Sequence, residues 1–275
     1  MDTGKIKNFI IAALVLVNLF MLGLYGAARS SEAEMQRNAY IQLQSLYEKS
    51  GINLPAGLDI TRRAPTGQGM TRNLEAERSM AESVLGKCSV IEQGGNIYAY
   101  SGPDGQANFR GTGEFEMLLA YGVADTSRGK VQAAQNLLEK MGIEPGEFVS
   151  QEDDEEQTRV VLSCKFENSE VYNARVNFLF SGDNLMIVYG RRVFDTAAKI
   201  SETETIDAGT ALVRFLYDSV EAGHVCTDIL SISAGYAMNV TVSGDCILSP
   251  VWHVVTNTGE YTLNAETGKQ ETIVY

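Results

Sequence analysis

The sequence predicts an α+β protein: one N-terminal membrane-spanning helix, then an ectodomain of repeated helix-plus-antiparallel-sheet units. Three observations carry that expectation. An uncharged run of 21 residues extends from Asn8 to Ala28. Three later stretches show apolar residues at helical spacing. Each of these is followed by alternating or β-branched runs separated by Gly, Asn and Pro turns.

At roughly 1.5 Å rise per residue the first run makes about 32 Å of helix, enough to cross a hydrocarbon core of about 30 Å. Lys5 and Lys7 precede it, against Asp2 alone, whereas Arg29, Glu32, Glu34 and Arg37 beyond it balance. The positive-inside bias then places the N-terminus in the cytoplasm and residues 29–275 outside the cell membrane. A cleaved signal peptide is the rival, with Gly26 and Ala28 as its small residues. The run exceeds the usual apolar length of about 7–15 residues for such a signal, which favours an uncleaved anchor. Asn18 falls at the middle of the span, where an amide gains from a bond to a second helix. Gly23 and Ala27, four apart, would let that helix approach closely.

The body divides by pattern. Residues 1–28 are the cytoplasmic tip and membrane helix, and 29–51 a juxtamembrane stalk helix. In the stalk, Met35, Ala39, Leu43 and Leu46 form one stripe and Gly51 is the stop. A first α+β domain covers 52–125. A second region, 126–275, holds two helix-plus-strands units, 126–200 and 201–275. Helices are expected over Asn73–Leu85, Lys130–Met141 and Asp207–Glu221, the last with Ala208, Ala211, Leu212, Phe215 and Leu216 on one face. Strands are expected at Thr158–Phe166 and in a hairpin, Tyr172–Phe180 with Leu185–Tyr189. Further strands at Val225–Ser233 and Tyr236–Ser243 would turn at Ala234-Gly235. A final hairpin, Trp252–Thr256 with Glu260–Asn264, turns at Asn257-Thr258-Gly259.

Setting aside Lys5, Lys7 and Asp2, the 20 basic and 34 acidic residues carry a net charge of −14. That excludes nucleic acid as a partner and docking of the body on an anionic leaflet. The four cysteines, Cys88, Cys164, Cys226 and Cys246, contain no CxxC pair. A turn at Ala234-Gly235 puts Cys226 and Cys246 three residues out of register, so buried free thiols are expected rather than a bridge.

Little of the sequence speaks for chemistry. The two histidines, His224 and His253, have no metal spacing. His224 sits at a helix end and His253 is expected on the outer face of a strand, with Trp252 in the core. No P-loop, GxSxG or GxGxxG occurs. The acidic run Glu152–Glu156 lacks the alternation of a calcium loop and reads as a solvated turn. No enzyme activity, cofactor or metal is expected.

Two stretches resemble a known family. Lys5-Ile6-Lys7 leading into Phe9-Ile10-Ile11, then Leu16-Val17-Asn18-Leu19-Phe20, is similar to the N-terminus of the YycI family. These proteins, with the related YycH proteins, are accessory regulators of the essential cell-wall sensor histidine kinase of Gram-positive bacteria. Pro250-Val251-Trp252-His253-Val254, Gly259-Glu260-Tyr261 and Asn264-Ala265-Glu266-Thr267-Gly268 resemble the final hairpin of YycI and of PepSY-like domains. Residue-level likeness is confined to these two ends; the rest matches in size and pattern. The resemblance implies a membrane-anchored extracytoplasmic regulator. Its partners would be the sensor histidine kinase, a YycH-like protein and, through one helix, the lipid bilayer. It carries over no catalytic residue. The rival expectation is a tethered PepSY-like binding or inhibitor module for a peptide, a cell-wall fragment or an extracytoplasmic enzyme.

Overall fold

The computed structural model describes residues 34–154, 156–194, 196–223, 226–241 and 245–271. The apolar run Asn8–Ala28, with Lys5, Lys7, Asn18, Gly23 and Ala27, lies outside them, as does His224. Among the described residues no helix is long and apolar enough to cross a membrane.

The chain mixes helix and sheet. Helix α1 spans 34–49. Then come β1 (Gln68–Thr71), α2 (Leu74–Leu85), β2 (Ser89–Gly94), β3 (Ile97–Gly102), β4 (Gly105–Arg110) and β5 (Glu114–Leu119). Next are α3 (Lys130–Lys140), β6 (Pro145–Asp153), β7 (Gln157–Phe166), β8 (Ser169–Ser181), β9 (Asn184–Arg191) and β10 (Thr196–Ile200). The chain continues through α4 (Ala208–Ala222), β11 (Ile229–Val240), β12 (Cys246–Thr256), β13 (Glu260–Asn264) and β14 (Gln270–Glu271). The strands join in one sheet whose main path is β10-β1-β12-β11-β8-β9-β5-β4-β3-β2. β6 and β7 branch from β8, and β13 and β14 branch from β12.

Local chemistry sets the helix ends. Asn73 Oδ1 accepts from the Glu75 and Ala76 amides and starts α2. Asp207 does the same for α4 through the Thr210 amide, at 2.7 Å. Gly223, at φ 68°, ends α4 in the left-handed conformation that glycine adopts without strain.

Two cores lie under the sheet. The first packs α2 and α3 against β3–β5 and β7–β9, through Leu85, Leu138, Phe109, Phe178 and Phe180. It takes residues from both sides of Asp125, where the sequence pattern divides the body. The second packs α1 and α4 against β11–β13, through Tyr47, Leu212, Phe215, Trp252 and Leu263. Trp252 is buried as expected, and its indole N–H donates to the Ile206 carbonyl at 3.0 Å.

Two expectations fail here. Ala234-Gly235 is not a turn: both residues sit inside the single strand β11, and its hairpin with β12 turns after Val240. Gly235 is required for another reason. A Cβ there would collide with the Glu170 carbonyl oxygen, because β8 runs parallel to β11 at that point, through Gly235↔Glu170 and Tyr236↔Val171. The register argument for Cys226 and Cys246 therefore lapses, although all four cysteines are buried and free. In α1 the buried face is Leu43 and Tyr47 with Tyr40 beside them, while Met35 and Leu46 of the expected stripe are exposed.

The parallel contact joining the two halves is two residue pairs long, and Asn173 extends it. β7 and β8 break register between Ser163 and Cys164, freeing Asn173 from the ladder. Its buried amide donates to the Met238 carbonyl at 2.9 Å and accepts from the Met238 N–H at 2.7 Å. A side chain thus completes β11's hydrogen bonding where the neighbouring backbone has turned away.

The first core encloses charge. Glu77 is fully buried and holds Arg72 through two bonds, at 2.7 and 2.8 Å. It also accepts from Arg192 at 2.8 Å and from the Tyr100 hydroxyl at 3.2 Å. Arg192 lies over the Phe109 and Phe194 rings. The cluster ties the start of α2 to β3 and to the chain leaving β9. Replacing Glu77 with Gln leaves two guanidinium groups without their anion in an apolar core. Breaking such a buried pair costs about 3–5 kcal/mol. The expected result for Glu77→Gln is an unfolding free energy lowered by that amount, read as a lower urea midpoint with an unchanged denaturant slope; a loss below about 1 kcal/mol would show that the carboxylate is dispensable.

Candidate functional site

Three features stand out from the sheet and its helices. The first is a groove between α1 and α4. Tyr40, Leu43 and Tyr47 recur at helical spacing and fix α1 to the second core, the Tyr47 hydroxyl donating to the Leu212 carbonyl at 2.8 Å. Burial pushes the Tyr47 phenol far above its ordinary range, so it remains a donor. The next stripe round the helix, Met35, Ala39 and Leu46, lines a groove of about 610 Å³ with Ile60 and Val213. Further along α4, Tyr217 and Val220 are each 67% exposed. Met35, Ala39 and Leu46 of the expected stripe thus face the groove, whereas Leu43 turns into the second core.

The second is a trough of about 760 Å³ on the outer face of β4–β9. Arg110, Arg159, Arg175 and Arg191 enter it together with Glu114, Glu116 and Glu152. Arg159 pairs with Glu152 across β6 and β7, and Arg191 approaches Glu114 at 3.6 Å across β9 and β5. Val149, Val161 and Tyr189 lend the trough apolar surface.

The third is a buried polar seam where the halves meet. Ser163 donates to Glu170 at 2.6 Å. The other Glu170 oxygen is buried and lies 3.6 Å from Lys165 Nζ, beyond hydrogen-bond reach. Burial raises the Glu170 pKa, offset in part by the Ser163 bond. His253 is not the surface residue expected. Its side chain is 12% exposed and its ring lies 4.4 Å from that of Tyr172, beside a 3.2 Å contact with Glu260. Burial lowers its pKa, and Glu260 opposes that shift. The nearby Ser233 hydroxyl pairs with Tyr172 rather than with His253, so the seam does not form a nucleophile–base arrangement.

Of the acidic run, Asp153 at the end of β6 accepts from Thr158 at 2.6 Å, and Thr158 accepts from Lys130 at 2.8 Å. Among the described residues no group of three or more His, Cys, Asp or Glu converges to hold a metal ion.

The membrane-helix residues singled out in the sequence lie outside the described residues. The arginine trough escaped the sequence reading, although a trace of it was present. Asn173, Arg175 and Asn177 form the polar face of β8's alternation, but only pairing with β9 and β7 brings Arg191 and Arg159 beside them.

A model of the YycI protein family matches residues 112–270. A search among curated proteins returned no match. Two solved structures are similar, each at 10% identity. One is an uncharacterized protein from Eubacterium rectale ATCC 33656, with TM-score 0.49 over 81% of this chain and 90% of that one. The other is the Bacillus megaterium YpeB C-terminal domain, with TM-score 0.38 over 74% of this chain and 96% of that one.

The seam makes stability depend on pH in two opposite ways. Glu170 binds its proton more tightly folded than unfolded. Its contribution is complete below its ordinary value of 4.5 and is lost as pH rises through its raised value. His253 binds its proton less tightly when folded. Its contribution is complete above its ordinary value of 6.5 and is lost as pH falls towards its lowered value. Glu170→Gln is therefore expected to raise the melting temperature at pH 7 and to leave it nearly unchanged at pH 4. Melting curves across that range check this, and equal effects at both pH values would refute it.

Proposed function

This chain belongs to the YycI family, and from that premise we propose that it regulates its sensor histidine kinase by direct contact, partly through a membrane helix. The family consists of regulatory accessory proteins of a sensor-kinase system, which is the coarse function of this chain. On our reading Asn8–Ala28 crosses the cell membrane, Lys5 and Lys7 remain in the cytoplasm, and the body lies outside. Asn18, Gly23 and Ala27 contact a neighbouring helix from the kinase or from a YycH-like partner.

One observation favours this reading over a slack tether: α1 is fastened to the body. Leu43 and Tyr47 are buried in the second core, and the apolar run ends at Ala28 in the same amino-terminal stretch. On our reading the helix runs on into the span and transmits the position of the body to it. Regulation further requires that the kinase's two signalling states bind this protein with different affinity, since equal affinity shifts neither.

The test is co-purification. The full-length chain is purified from its native membrane after mild crosslinking, beside Asn18→Leu, and its partners are identified by mass spectrometry. Recovery of a sensor histidine kinase and a YycH-like protein, reduced in the variant, is the expected result. Equal recovery with both chains moves the contact to the body. Recovery of no kinase removes the proposal.

A further inference from the structure

We propose that the trough over β4–β9 binds an extended peptide segment of a partner protein, gripping a peptide carboxylate between Arg175 and Arg191. The inference rests on the trough alone and does not depend on kinase regulation.

Register places the two arginines together. β8 and β9 pair through Asn177↔Tyr189 and Val176↔Gly190, so the next residues along are Arg175 and Arg191. Like charges facing each other across a sheet are unfavourable. Gly190 makes the approach close, since a Cβ there would meet the Arg175 carbonyl oxygen. The same register logic sets Glu114 opposite Arg191, and Arg110 beyond Glu114. One row across four strands therefore carries three arginines and one glutamate. This concentration of positive charge occurs in a chain whose formal net charge is −13. Arg175 Nε also donates to the Tyr172 carbonyl at 3.3 Å, and a carboxylate that accepts from both guanidinium groups gains charge-assisted, fork-like bonds.

Other features of the trough select a peptide among anionic ligands. Glu114, Glu116 and Glu152 share the space and repel a dense polyanion. Val149, Val161 and Tyr189 offer apolar contact that a polyphosphate would not use. Asn177 provides an amide suited to a peptide backbone. The trough crosses six adjacent strands, about 24 Å at a spacing of about 4.8 Å, which an extended chain of about seven residues spans.

The probe is a fluorescein-labelled heptapeptide of alternating valine and glutamate, titrated against the full-length protein in detergent with anisotropy as the readout. The expected result is saturable binding that weakens at least about tenfold when glutamine replaces glutamate in the peptide. The same loss is expected in the Arg175→Gln/Arg191→Gln double variant. Inorganic polyphosphate should compete poorly. Equal binding of both peptides, or undiminished binding by the double variant, would overturn the proposal. Displacement by polyphosphate at lower concentration than by unlabelled peptide would also overturn it, marking a polyanion site instead. If the double variant does not fold, Arg110→Gln, at the end of the row, takes its place. A threefold or greater loss there supports the site, and unchanged binding rejects it.

Discussion

The backbone link on which the relative placement of the two cores depends is a short seam between β8 and β11. Two residue pairs, Gly235↔Glu170 and Tyr236↔Val171, join the part of the sheet that carries α2 and α3 to the part that carries α1 and α4. Backbone pairing alone is thin there, and the side chains make up for it. Asn173 supplies a donor and an acceptor to Met238, and Tyr172 reaches Ser233 and covers His253. Because the seam is buried, each of these polar groups must be satisfied, which makes the relative placement of the two cores specific. The Glu77 cluster plays a comparable part within the first core, where one carboxylate fixes the direction of two arginines.

Repeating patterns were legible in the sequence, and singular contacts were not. The amphipathic helices appear within a residue or two of their expected ends, because periodicity is a local property that tertiary contacts reinforce. The hairpin from β8 to β9 was readable for the same reason. Gly235 was misread because a glycine between two β-branched runs signals a turn locally, whereas here it serves the close approach of a strand distant in sequence. β4 and β6 passed unnoticed: Ala107 and Phe109 are too few to announce a strand, and Pro145-Gly146 with the acidic run after it suggests a loop. In α1 the inward face is Tyr40, Leu43 and Tyr47, and the Tyr47 hydroxyl finds its acceptor at the Leu212 carbonyl, a partner distant in sequence that local periodicity does not show.

The same division explains what was visible of function. Family membership was legible in the final hairpin, which lies inside the matched region 112–270, whereas the amino-terminal stretch lies outside it. The grooves on the body's surface are products of assembly. The trough needs six strands in register before its arginines converge, and the α1–α4 groove needs two helices far apart in the chain.

The buried cysteines bear on how the chain ages. Burial pushes the Cys164 and Cys246 thiols up to about 12, and raises those of Cys88 and Cys226. Exchange and oxidation proceed through the thiolate, which is scarce in all four at neutral pH. The folded chain is therefore shielded from oxidants that would modify the nascent chain readily. The vulnerability of these thiols is concentrated in the interval before the cores close.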